Sequence, residues 1–201
     1  GLIYASSSSV YGGNTKTPFS INDPVEKPLA FYAATKRSNE LIAYSYNNLY
    51  DLNTTGLRYF TVYGTWGRPD MAMFIFAEKI INEKPIMVFN CGDMKRDFTY
   101  IDDIIAGTRS AIEKNNKCEV FNLGNHKSEK LMDMIGLIEK EVGKKAIIEF
   151  KDMQPGDIKE SFADIKHSIE LLNFNPLISI DDGVKRFIEW YKSFNSKIPV
   201  L

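Results

Sequence analysis

Short apolar runs rich in β-branched residues alternate along this chain with longer stretches free of proline and glycine, and that alternation constrains the fold most. Gly1-Leu-Ile-Tyr-Ala5 is apolar and drops straight into four serines, Ser6 to Ser9, as a buried parallel strand does when it ends in a polar loop. A loop rich in Pro, Asn and Gly follows, from Gly12 to about Pro28. Phe31 to Tyr50 then carries neither Pro nor Gly and reads as one long helix. Thr54 to Tyr63, rich in β-branched and aromatic residues, reads as a second buried strand. Pro69 and Asp70 stand where a helix start wants them, the acid facing the helix dipole. The helix they open is expected to run through Met73 and Phe76 to about Asn82. Further strands are expected at Ile86–Phe89, Phe98–Tyr100, Val120–Leu123 and Ala146–Phe150. Further helices are expected at Asp102–Lys114, at Ser128–Val142 with Ser128 as N-cap, at Lys166–Leu172 and at Asp181–Phe194. Strands alternating with helices in this way predict an α/β fold with a largely parallel sheet.

Composition narrows the function classes. The 201 residues are room for one ordinary domain or two small ones. Lys and Arg number 25 against 26 Asp and Glu, so no nucleic-acid partner is expected. No apolar run approaches the ~18 residues of a membrane span, and no signal-peptide pattern opens the chain. Cys91 and Cys118 read as free thiols of a reducing cytoplasm rather than a disulfide scaffold. With His126 and His167 they are too few for a structural zinc site, and no metal is expected.

Two features can carry chemistry. Tyr32 and Lys36 lie four apart on one helix and so share a face. An ammonium one turn from a phenol favours the phenolate, which makes the tyrosine a usable proton acceptor. A surface aromatic beside a solvated lysine would have the same spacing. Upstream, Ser6-Ser-Ser-Ser-Val-Tyr-Gly12 places hydroxyls just past the carboxyl end of a strand, where open α/β sheets bind ligands; a plain polar turn is the alternative. A serine hydrolase is disfavoured, because no Gly-x-Ser-x-Gly elbow occurs and neither histidine stands in a suitable place.

In order, the serine-ended strand, Tyr32-Ala-Ala-Thr-Lys36 and Leu57-Arg-Tyr-Phe-Thr-Val-Tyr-Gly64 resemble the extended short-chain dehydrogenase/reductase family, specifically its nucleotide-sugar epimerases. Gly64-Thr-Trp-Gly-Arg-Pro-Asp-Met71, Met94-Lys-Arg-Asp-Phe-Thr-Tyr-Ile-Asp-Asp103 and Met153-Gln-Pro-Gly-Asp157 look most like the UDP-glucuronate 4-epimerases, some of them capsular polysaccharide biosynthesis proteins. The resemblance implies the C-terminal part of a Rossmann-like parallel sheet plus a smaller mixed α/β substrate domain. Residues 1–64, with returns near 101–123, would belong to the cofactor domain, and residues 65–201 mainly to the substrate domain.

The same resemblance implies NAD as cofactor, a UDP-sugar as substrate and pairing of two copies through the Tyr32–Lys36 helix and the helix from about Asp102 to Lys114. Ser7, Tyr32 and Lys36 fall on its catalytic positions, with Tyr32, Lys36, Tyr59 and Phe60 near the nicotinamide. Ser8 and Ser9 would face the sugar, with Thr61 on the strand that passes it. As the hydroxyl donors next to the base, Ser8, Ser9 and Thr61 are expected to grip the sugar's carboxylate and Arg68 to shape that end of the pocket. Arg96 matches the arginine that holds the diphosphate, Met87 and Phe89 the uracil-reading strand, and Asp157 the carboxylate on the ribose. Gln154 departs from the arginine of galactose-type epimerases, so a charge-assisted contact is lost there.

The implied reaction is 4-epimerisation of UDP-glucuronate to UDP-galacturonate for surface polysaccharide. A UDP-sugar decarboxylase or dehydratase on the same scaffold, and a non-catalytic nucleotide-sugar-binding module, are the rival readings. No Gly-x-Gly-x-x-Gly occurs to receive a dinucleotide pyrophosphate; Gly64 and Gly67 have the local spacing, but Asp70 takes the third place. The expectation is therefore a piece of a longer enzyme, short by roughly a hundred residues at about 30 per βαβ unit, and inactive by itself.

Overall fold

The computed structural model describes residues 1–154 and 156–196. In chain order its first elements are β1 (Leu2–Ser7), α1 (Phe31–Tyr50), β2 (Thr54–Tyr59), β3 (Thr61–Tyr63), α2 (Ala72–Ile81), β4 (Pro85–Phe89), β5 (Lys95–Arg96) and β6 (Phe98–Tyr100). They are followed by α3 (Ile101–Lys114), β7 (Cys118–Leu123), β8 (Glu129–Lys130), α4 (Leu131–Val142), β9 (Ile147–Lys151), β10 (Glu160–Ser161), α5 (Lys166–Leu172) and α6 (Ile180–Asn195).

β1, β2 and β7 form a parallel three-stranded sheet in that order, joined by helical crossovers, so the α/β expectation holds. The register places Ser6 beside Arg58 and Arg58 beside Asn122. Side chains alternate faces along a strand, and this row turns towards α1, whose Glu40 meets both Ser6 and Arg58. The next position, Tyr59, turns to the other face and meets Thr108 of α3. α1 lies close on the sheet because its inward positions are small or polar: Ala33, Glu40 and Ala43 are its buried residues.

Two apolar clusters support the molecule. One joins Leu57, Phe121 and Leu123 of the sheet to Tyr11, Phe19 and Leu172. The other gathers α2, α4 and α6 around β4 and β6, with Phe76, Ile86, Ile138 and Phe187 at its centre. Smaller pairings complete the second region. β4 runs parallel to β9 and β3 parallel to β6, while β5 lies between β10 and β8. Among the described residues, no helix is long and apolar enough to cross a membrane.

Three local expectations are corrected. The strand expected over Thr54–Tyr63 is two, because the chain changes partners at Phe60: its N–H donates to Leu123 O (3.1 Å), whereas that of Thr61 donates to Asp97 O (3.0 Å). Pro69 and Asp70 do not open α2. They sit in a turn closed by the Met71 N–H on Arg68 O (3.2 Å), and the helix starts at Ala72. Ser128 is not an N-cap either, since α4 begins at Leu131 and the Ser128 hydroxyl is spent on Glu160.

Candidate active site

β1 delivers the serines. The Ser7 hydroxyl oxygen caps the short 3-10 turn Ser8–Tyr11, accepting from the Ser9 N–H (3.2 Å) and the Ser9 hydroxyl (3.0 Å). α1 delivers the other pair. The Lys36 Nζ donates to the Ala5 carbonyl (3.2 Å) and stands 5.6 Å from the centroid of the Tyr32 ring. Tyr32 is 54% exposed. An ammonium has three donors, and Ala5 uses one. Among the described residues no other acceptor takes the remaining two.

A cavity of about 160 Å³ opens beside this corner, lined by Ser8, Ser9, the start of α1, Thr61, Arg96 and Asp157. A larger one, about 490 Å³, shares Thr61, Arg96 and Asp157 and continues past Met87, Phe89 and Gln154. The larger volume falls in the range of small-molecule sites, about 300–1,000 Å³. Together they make one trough from the serine end of β1 to the face of β4. Met87 and Phe89 alternate along β4 and so point the same way.

Arg96 sits at the waist of the trough. Its Nη2 reaches Asp157 Oδ1 at 3.1 Å, and its Nη1 donates to Lys95 O (2.9 Å) and Lys159 O (3.2 Å). Burial pushes the guanidinium below its ordinary value, and the Asp157 carboxylate beside it works against that shift. Beneath Arg96, the fully buried Asp97 gathers the N–H groups of Asn125 (2.5 Å), His126 (3.1 Å) and Ala163 (3.0 Å) and the Thr99 hydroxyl (2.9 Å). Gly124 makes room for it, since a Cβ there would stand 2.6 Å from Asp97 Oδ2. Asp97 thus pins the backbone that carries Arg96 to the loop after β7.

Several expected residues lie elsewhere. Arg68 lines neither cavity. It is exposed and forked onto Asp70, with Nε to Oδ1 at 3.0 Å and Nη2 to Oδ2 at 2.7 Å, and it is Asp70 that lines the larger cavity. The Tyr59 hydroxyl meets Thr108 Oγ1 at 3.1 Å on the α3 side of the sheet, and burial pushes its phenol up. Phe60 is buried in the apolar cluster below β2. Pro155, within the Met153–Asp157 motif, lies outside the described residues.

Sequence reasoning missed Lys79, which lines the larger cavity from α2. It also missed Asp97 as an anchor, and the pair Glu40 and Arg58. The signal for that pair was available: an arginine inside an apolar strand, and a glutamate one helical turn beyond Lys36.

Residues 1–124 match the NAD dependent epimerase/dehydratase family. The chain belongs to that family. Within it, the chain is 46% identical over 214 residues to Protein CapI of Staphylococcus aureus, covering 98% of this chain and 64% of that protein. It is 42% identical over 212 residues to UDP-glucuronate 4-epimerase 4 of Arabidopsis thaliana, covering 97% of this chain and 48% of that one. In structure it is similar to the UDP-glucuronic acid 4-epimerase of Bacillus cereus in complex with UDP-glucuronic acid and NAD. There the TM-score is 0.89 and the identity 37%, over 96% of this chain and 61% of the other. This epimerase-family chain therefore spans between about half and two thirds of the proteins it matches.

Proposed function

We propose that the polypeptide carrying this chain interconverts UDP-glucuronate and UDP-galacturonate at C4 with bound NAD, in the supply of surface polysaccharide. One observation carries the reading: Lys36, one turn from Tyr32 on α1, holds the β1 carbonyl two residues before Ser7, and a trough lined by Ser8, Ser9, Thr61, Arg96 and Asp157 opens beside that end of the strand. The names of the Arabidopsis and Bacillus relatives support the choice of sugar.

NAD, when bound, supplies reversible hydride acceptance at C4. The residues at this corner fit its nicotinamide end, with Tyr32 half exposed and a Lys36 ammonium that, among the described residues, bonds only Ala5. No glycine-rich turn for its pyrophosphate occurs in the 201 residues, and that part of the site is assigned to the length by which the relatives exceed this chain. Tyr32, as phenolate, takes the proton of the sugar's C4 hydroxyl, and the Lys36 charge stabilises that form. Ser7 hydrogen-bonds the same oxygen. Arg96 holds the diphosphate by charge-assisted hydrogen bonds, Asp157 accepts from ribose hydroxyls, and Met87 and Phe89 flank the base.

The 4-keto form of a glucuronate is a β-keto acid and loses carbon dioxide readily. Ser8, Ser9 and Thr61 are assigned to the carboxylate, which they hold by hydrogen bonds in an orientation that disfavours that loss. Two copies are assigned to pair through α1 and α3, whose outward Leu41, Tyr44, Leu49, Ile105 and Ile112 are exposed.

Product analysis tests the reading. The full-length polypeptide, given UDP-glucuronate and NAD, is expected to form UDP-galacturonate with no net NADH. Release of carbon dioxide with a UDP-pentose would assign it to the decarboxylases instead. Binding of UDP without turnover would make it a binding module.

A further inference from the structure

We propose that Glu40 is a positioning residue for the chemistry at Tyr32, setting through Ser6 and Arg58 how the Tyr32–Lys36 helix is seated on the serine end of β1. The inference rests on the roles given above to Tyr32 and Lys36. α1 grips two consecutive residues of β1 from two successive turns. Lys36 Nζ holds the Ala5 carbonyl at 3.2 Å, and Glu40 Oε1 accepts the Ser6 hydroxyl at 2.6 Å. The next residue of β1 is Ser7, and the preceding turn of α1 carries Tyr32. The reacting corner is thus the continuation of this double grip.

Glu40 is itself held from the sheet. Arg58 meets it as a fork, Nε to Oε1 at 2.8 Å and Nη2 to Oε2 at 2.9 Å, while Arg37 Nη1 adds a third bond at 2.9 Å. Arg58 Nη1 donates to the Tyr11 hydroxyl (3.0 Å), which donates to Asn122 Oδ1 (2.6 Å). Asn122 in turn donates to the carbonyls of Phe19 (2.8 Å) and Asp164 (3.0 Å). The polar row of Ser6, Glu40, Arg58, Tyr11 and Asn122 therefore crosses all three strands, and none of these five is more than 4% exposed.

Such a row is a poor way to gain stability. A buried ion pair is often matched or bettered by apolar side chains of the same volume. What the fork adds is direction: a planar guanidinium meets a carboxylate in one geometry, whereas an apolar contact lets a helix slide. Position matters at this corner, because a displacement of about 1 Å can cost about a hundredfold in rate.

The test uses the full-length polypeptide and two variants. Glu40→Gln keeps the volume and removes the charge. Glu40→Met with Arg58→Leu removes both charges and refills the space, so a merely structural role would be restored by it. Both are expected to lower kcat for C4 inversion about tenfold or more, with KM for UDP-glucuronate changed by less than about twofold. A wild-type kcat in the folded double variant would overturn the inference. A crystal structure of that variant decides the point whatever the substrate: the Lys36 Nζ to Ala5 O contact is expected to lengthen or break, and α1 unmoved on β1 overturns the proposal. If the wild-type polypeptide forms no product while α1 shifts in the variant, the assigned reaction fails and the seating role stands.

Discussion

Glu40 on α1 and Arg58 on β2 form a buried two-point fork, Oε1 to Nε at 2.8 Å and Oε2 to Nη2 at 2.9 Å. Glu40→Ala strips the partner from a guanidinium that water cannot reach. The expected cost is about 3–5 kcal/mol of folding stability, measured by urea denaturation. Removing both charges together with apolar replacements is expected to cost far less, and a loss as large as that of the single variant would contradict this account of the pair.

The same fork predicts a pH dependence. Burial pushes the Glu40 carboxyl up, but the hydrogen bonds and charge of Arg58, with Ser6 and Arg37, outweigh it and hold the group below its ordinary 4.5. A carboxyl depressed in the folded state stabilises fully above the unfolded value and loses that contribution as pH falls through the folded one. Stability measured from pH 7 downward should therefore fall below roughly pH 4.5 less steeply in Glu40→Gln than in the wild type. Parallel acid limbs would show that Glu40 is not the linked group.

Arg96 gives a prediction on binding. Its guanidinium stands in the trough on Asp157, and hydrogen bonds to a charged group are worth about 1.5–3 kcal/mol. Arg96→Ala should weaken UDP binding about tenfold to a hundredfold by calorimetry. An unchanged Kd would remove Arg96 from the diphosphate role.

Thr61 borders both cavities, where the sugar and its carboxylate are assigned. Thr61→Ala is expected to raise the ratio of UDP-pentose to UDP-galacturonate in the full-length polypeptide, read by chromatography of the products. Arg68, forked onto Asp70 at the surface, is expected to shift that ratio much less than Thr61 when replaced by alanine. Equal ratios in the wild type and the Thr61 variant would contradict the carboxylate grip.

The course of the chain was legible where local chemistry decides. α1 runs over Phe31–Tyr50 as its freedom from Pro and Gly implies, and α5 and β6 also keep their expected bounds. What failed is non-local. Nothing local in Thr54–Tyr63 says that pairing passes from β7 to β6 at Phe60, since that depends on where Asp97 comes to lie. Ser128 is a good capping residue by type, yet Glu160, distant in sequence, takes its hydroxyl. Arg68 looked free to face a ligand until the fold of the turn brought Asp70 to it. The convergence of Thr61, Arg96 and Asp157 on one trough could be expected only from the order of motifs, because their sequence separations carry no distance information. Glu40 taken singly resembles an ordinary charge on a helix surface, and only Arg58, an arginine inside an apolar strand, hints at a buried partner.

The measurement closest to the central claim is the rate of C4 inversion of UDP-glucuronate by the full-length polypeptide with Tyr32 replaced by phenylalanine. The ring and its packing survive this change, and only the proton acceptor is lost. The account predicts a fall in kcat of about 10²–10⁴-fold with UDP-glucuronate still bound. A Tyr32→Phe enzyme that inverts C4 at the wild-type rate would contradict it.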